Sequence, residues 1–111
     1  MHIVLNVTLR AKEGKADEAA AEFARMNKTR SEEEGILAHI ITQPINDPHE
    51  FRILEIYRDS EALQEHMRVT ADDPHRKVLA GLLEGPPNPA PSKIVRAHSK
   101  FDDIVLEETG A

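Results

Sequence analysis

No stretch limits the possible folds of this chain more than Phe51 to Arg58, FRILEIYR. In a strand, successive side chains point to opposite faces, which puts Phe51, Ile53, Glu55 and Tyr57 on one side and Arg52, Leu54, Ile56 and Arg58 on the other. Both sides are half apolar. Such a strand belongs in a sheet that is covered twice, once by elements of its own chain and once by something else.

The neighbouring segments supply the first cover. Ile3, Leu5, Val7 and Leu9 alternate with His2, Asn6, Thr8 and Arg10, the period of a half-buried strand, with Val4 alone out of step. After Gly14, the segment KADEAAAEFARMNKTRSEEE places Ala16, Ala19, Ala20, Phe23 and Met26 on one helical stripe, with Asp17 and Glu18 in the first turn, where the helix dipole favours acids. Glu34-Gly35 ends it. ILAHIITQ then reads as an apolar, β-branched strand running to the turn signal Pro44 to Pro48, so that it forms a hairpin with FRILEIYR. Asp59 or Ser60 caps a second helix with Ala62, Leu63, His66, Met67 and Thr70 on one face, interrupted near Ala71-Asp72-Asp73. Asp73 and Pro74 restart it as N-cap and first-turn proline, with His75, Val78, Leu79, Leu82 and Leu83 to one side. Gly85 to Pro91 reads as a stiff spacer, because its four prolines fix φ and remove donors. KIVRAHSKFDDIVL supplies a last strand or two short ones, and EETGA a frayed end.

The order strand, helix, strand, strand, helix pair, strand is the split βαβ plan of a ferredoxin-like α+β sandwich, an antiparallel sheet with its helices on one face. It implies a single domain over residues 1–111, with a core of about 2–98 and residues 99–111 as a C-terminal extension. The second cover for FRILEIYR is then most simply the same face of another copy, which makes the protein a symmetric homodimer.

A hydrophobic fraction of 40% and a charged fraction of 31% describe a globular chain, and no apolar run nears the roughly 20 residues of a membrane span. The opening MHIVLNVTLR alternates and lacks the basic, apolar and small-residue regions of a secretory leader, so the expected location is cytoplasmic. With no cysteine, disulfides, thiolate nucleophiles and thiolate metal sites are excluded. A net charge of −6 with three Phe, one Tyr and no Trp gives neither the basic surface nor the stacking rings of a nucleic-acid binder. The six histidines are scattered, with no HExxH or other tight ligand pair, so no metal is expected.

The run EEEGILAHIITQPINDPHEFRILEIYRDSEALQEHM, followed by DDPHRKVLAGLLEGP, resembles the antibiotic biosynthesis monooxygenase family. The shared features come in order: Glu34-Gly35 ahead of the second strand, Asp47-Pro48 in the hairpin loop, a strand ending Glu55-Ile56-Tyr57, Ala62-Leu63 with His66 in the helix, and Pro74-His75 opening the next turn. The likeness runs from about His2 to Ile94. It implies a dimeric α+β barrel in which each subunit holds a mostly apolar pocket between sheet and helices. It also implies a small oxygenase acting on quinols, anthrones or related aromatics without metal, flavin or haem. One family branch isomerises a phosphorylated signalling sugar, and this chain is similar to it in the Glu-x-Tyr strand end and the Gly-Pro after the second helix. A haem-degrading branch is similar only in the asparagine of strand one, and His66 and Ala80 stand where that branch carries a tryptophan and a histidine ligand. His39 and Arg76 stand where the family usually has aromatics, and Tyr57 where it usually has a tryptophan, which makes the pocket more polar.

Oxygenation without a cofactor needs a substrate that gives its own electrons to dioxygen once a phenol or enol has lost its proton. The protein then supplies a base, donors for the anion and a dry cavity. His66, on the apolar stripe of its helix, is the expected base, because imidazole titrates near neutrality. Glu55 is the second catalytic candidate: beside Phe51, Ile53 and Tyr57 a carboxylate either has a raised pKa or accepts from a histidine or arginine. Asn6 and Tyr57 are expected to bind an anionic oxygen, with His39 or His75 as a second acid or an orienting group. Each has a plainer alternative. His66 is then a core histidine, His75 packs over its turn, Glu55 pairs with Arg52 or Arg58, Asn6 satisfies a backbone group and Tyr57 is a core aromatic. Ser31 to Glu34 reads as a solvated helix end. The expected function is a cofactor-independent monooxygenase of a hydroxylated aromatic or quinol. The alternatives are a small-molecule isomerase using the same acid-base groups, and a non-catalytic ligand-binding dimer.

Overall fold

In the computed structural model, which describes residues 1–98, the chain runs through β1 (Ile3–Arg10), α1 (Ala16–Arg30), β2 (Ile36–Thr42), β3 (Glu50–Tyr57), α2 (Ser60–Val69), α3 (Pro74–Leu82) and β4 (Asn88–Lys93). The strands form one antiparallel sheet in the spatial order β2-β3-β1-β4. This is the α+β, ferredoxin-like plan expected from the order of elements. No helix among the described residues is long and apolar enough to cross a membrane.

One face of the sheet carries the core. Leu5, Val7 and Leu9 of β1 and Phe51 and Ile53 of β3 stand beside one another in register and bury against α1 through Ala19, Phe23 and Met26. The rings of Phe23 and Phe51 lie 4.7 Å apart, centroid to centroid, and complete burial of each stabilises the fold by about 2–3 kcal/mol. Two local devices start the later helices. The Asp59 carboxylate accepts the Ala62 N–H at 2.8 Å, and the Asp73 carboxylate accepts the His75 N–H at 3.3 Å with Pro74 in the first turn.

The last strand differs from expectation. β4 begins inside the proline-rich segment read as a spacer and ends at Lys93, the first residue of the expected strand, and residues 94–98 follow it outside any strand. Pro89 and Pro91 are two residues apart and stand opposite Val7 and Leu5. On an edge strand, positions two apart turn their N–H groups the same way, so both prolines fit where the missing donor faces outward. The FDDIVL part of the expected strand, and the extension over residues 99–111, lie outside the described residues.

A register shift between Ile36 and Ala38 shapes β2. Ile36 pairs with Tyr57 on the helix face, the extra residue Leu37 breaks the alternation, and His39 then pairs with Glu55 on that same face. The opposite face has no helix of the described residues over it. Ala38, Ile40, Leu54 and Ile56 line it, joined by Val4, which pairs with Ile56.

Candidate active site

Between the helix face of the sheet and the three helices lies a cavity of about 790 Å³. Leu5, Val7, Ile53, Phe23, Leu63 and Leu79 form its apolar walls, and the Gly85 to Pro89 stretch borders it on one side. Into it come Arg30, His39, Glu55, His66 and Arg76.

His66 is 4% exposed and held from two sides. Its Nδ1 lies 2.9 Å from Oε1 of Glu33. A carboxylate can only accept, so Nδ1 carries the proton and Nε2 is left with its lone pair. The guanidinium of Arg76 approaches that Nε2 at 3.3 Å, and Oε1 of Glu55 is 4.0 Å away. The Tyr57 ring packs against the imidazole with centroids 5.2 Å apart. Glu33 was not foreseen: it belongs to the run read as a solvated helix end, yet α1 stops at Arg30 and the turn that follows carries its carboxylate back to α2.

Glu55 is 8% exposed and accepts a hydrogen bond of 2.5 Å from the Tyr57 hydroxyl. Its donor is therefore a tyrosine, where the expectation was a raised pKa or a bond from a histidine or arginine; Arg52 pairs instead with Glu50 and Arg58 with Asp59. Burial, followed by the charge of Glu55 and the hydrogen bond to it, pushes the Tyr57 pKa well above its ordinary value, so the hydroxyl stays a donor. Tyr57 is wholly buried and off the cavity wall, so its role is to hold Glu55 and not to touch a ligand.

His39 lines the cavity. Asn27 donates to its Nδ1 at 2.9 Å and to its carbonyl at 2.7 Å, which leaves the ring proton on Nε2. Burial, with the charges of Arg30 and His66, lowers its pKa to about 4. The other two binding candidates are elsewhere. Asn6 is exposed on the helix-free face, where the strict alternation of β1 sends it. His75 reaches away from the cavity to α1, its Nδ1 2.6 Å from Oε2 of Glu22 and its Nε2 3.0 Å from the Thr29 hydroxyl. The bonds from His75 and Arg25 lower the Glu22 pKa, so His75 joins α3 to α1 as a structural clamp.

Arg30 completes the site. It is 3% exposed and ion-paired with Asp73, itself 7% exposed, with Glu33 at 3.9 Å. Burial alone would raise the Asp73 pKa, and the hydrogen bond and charge of Arg30 more than offset this, lowering it. Removing either partner would strand a buried charge at a cost of about 3–5 kcal/mol. Among the described residues no three His, Asp or Glu side chains converge in a way that would hold a metal ion.

The family model for antibiotic biosynthesis monooxygenases matches residues 2–73, well over half of the chain. The chain belongs to the antibiotic biosynthesis monooxygenase family. Solved structures agree on the fold of this family member. NE2512, a protein of unknown function from Nitrosomonas europaea, is 24% identical over 88% of this chain and 93% of its own, with a TM-score of 0.76. SnoaB, a cofactor-independent oxygenase from Streptomyces nogalater, is 14% identical over 86% and 95%, TM-score 0.76. A conserved protein from Methanosarcina mazei is 20% identical over 84% and 92%, TM-score 0.71. No curated protein sequence matches the chain.

Proposed function

We infer that this member of the antibiotic biosynthesis monooxygenase family is a cofactor-independent oxygenase of a hydroxylated aromatic or quinol, working in the cytoplasm as a homodimer. The observation that carries the reading is the Glu33–His66 pair, which leaves an unprotonated Nε2 at the wall of a largely apolar cavity. A substrate hydroxyl at that nitrogen gives up its proton, Glu33 steadies the imidazolium that results, and Arg76 stands beside the new anion. The apolar walls keep water from quenching the electron-rich anion, which passes electrons to dioxygen. For a methylene activated by a phenol, the C–H bonds are replaced by a carbonyl; one oxygen atom enters it and the other leaves as water, so the substrate is its own reductant. SnoaB, with the same fold, is a cofactor-independent oxygenase. The second sheet face supports the homodimer, because Leu54, Ile56 and Ile40 lie there only half-buried, with no helix of the described residues over them.

The test is dioxygen uptake by chelator-treated protein over a panel of anthrones and hydroquinones, with auto-oxidation subtracted. His66→Ala is expected to lower the rate by about a hundredfold or more, the scale of a lost general base. Uptake no faster than the protein-free blank across the panel overturns the reading.

A further inference from the structure

The cavity's charges do not match those of the chain around it. The chain has a net charge of −6, yet the charged groups lining the cavity are Lys12, Arg30 and Arg76 against Glu55 and Glu84. Three of the five are cations. Their partners separate them further. Arg30 is neutralised by Asp73. Arg76 has no carboxylate within ion-pair distance among the described residues, and its guanidinium instead approaches Nε2 of His66 at 3.3 Å. Lys12 likewise has no such carboxylate, its ammonium donating to the Gly81 carbonyl at 3.2 Å. A guanidinium is charged at every working pH and presents a planar fork that matches a carboxylate. Here that fork sits directly beside the nitrogen argued to be the base.

The geometry points to a hydroxyaromatic acid as the ligand, its carboxylate on Arg76 and its hydroxyl, on the adjacent ring carbon, at Nε2 of His66. This deepens the oxygenase reading, on which its choice of reacting hydroxyl rests. The 3.3 Å between the guanidinium and the imidazole is the reason for the adjacent placement: groups that close on the protein are served by neighbouring groups on a ring. Arg76 has a second effect. In a free ortho-hydroxy acid the carboxylate accepts the phenolic hydrogen and holds that proton in place; a guanidinium on the carboxylate competes for it and releases the hydroxyl toward the base. Lys12, on another wall of the same cavity, adds long-range attraction for the anion. A cavity of about 790 Å³ accepts a fused-ring acid of this kind.

The test is binding, measured by calorimetry without turnover, of 1-hydroxy-2-naphthoate and its uncharged carboxamide. The acid is expected to bind the wild type about tenfold or more tightly than the amide, the scale of a charge-assisted bond. Arg76→Gln should bring the two together, and Arg76→Lys should leave an intermediate preference. Arg68→Gln, an arginine on α2 outside the cavity lining, should leave the full preference. Equal binding in the wild type, no binding of either compound, or a preference undiminished in Arg76→Gln overturns the inference. If Arg76→Gln does not fold, a full acid preference in Arg76→Lys has the same effect. Because the readout is affinity, an acid preference that stands while dioxygen uptake equals the blank removes the oxygenase reading alone.

Discussion

Burial lowers the pKa of His39 to about 4, and the charges of Arg30 and His66 push the same way. In the unfolded chain the ring titrates near its ordinary 6.5, so between those values the unfolded state takes up a proton that the folded state refuses. The contribution of the neutral ring is thus complete above pH 6.5 and is lost as pH falls toward 4, a change on the order of 3 kcal/mol. His39→Gln should therefore lose less unfolding free energy than the wild type between pH 7.5 and 4.5 in urea titrations; parallel losses would refute the assignment. How far single residues were legible follows from how local their cause is. His66 was readable because a helical stripe is set by its own neighbours. That His39 faces inward was legible only through the family resemblance and not from the strand pattern, since a bulge at Leu37 reversed the alternation. Arg30 left a signal: Ala19, Phe23, Met26 and Arg30 continue one helical stripe, so an arginine was being sent to the buried side. Glu33 left none, because its partner lies on a different helix.

Among the elements, the approach of α2 to the start of β2 is tightest at Gly35. A Cβ added there would stand 2.6 Å from the Cβ of Ala62, with the Ala62 backbone close behind. Gly35→Ala is expected to destabilise the fold by about 1–3 kcal/mol, and Ala62→Gly in the same chain should recover much of that loss. Thermal unfolding of the two single variants and the double variant checks this, and additive losses would show that the contact is not the cause. The Glu-Gly pair was visible in the sequence as the end of a helix, but its need for glycine comes from a helix that arrives later in the chain. The order and caps of the elements were legible for the opposite reason: periodicity, Asp59 and Asp73 act within a few residues. β4 was not, since whether a proline breaks a strand depends on which side of it is paired, and that is settled by β1.

For the whole molecule, the sheet has one face under helices and, among the described residues, one without them. Val4, Ile40, Leu54 and Ile56 on the second face are the surface on which a second copy is proposed to sit. Light scattering should give the mass of two chains for the wild type and of one for Ile56→Lys, since an unpaired ammonium at the centre of that contact is costly to bury; a wild-type mass of one chain would refute the dimer. The two long margins of the sheet are also unlike. At the β2 margin, which no strand of the described residues covers, every residue has a backbone donor, whereas at the β4 margin Pro89 and Pro91 leave gaps in the row of N–H groups. A strand from another molecule that tried to extend the sheet past β4 would find acceptors with no donors at Pro89 and Pro91, and a donor only at Lys93. Growth by strand addition is thereby disfavoured on one side, and the margin is poorly suited to stacking into ribbons or to capturing an extended peptide.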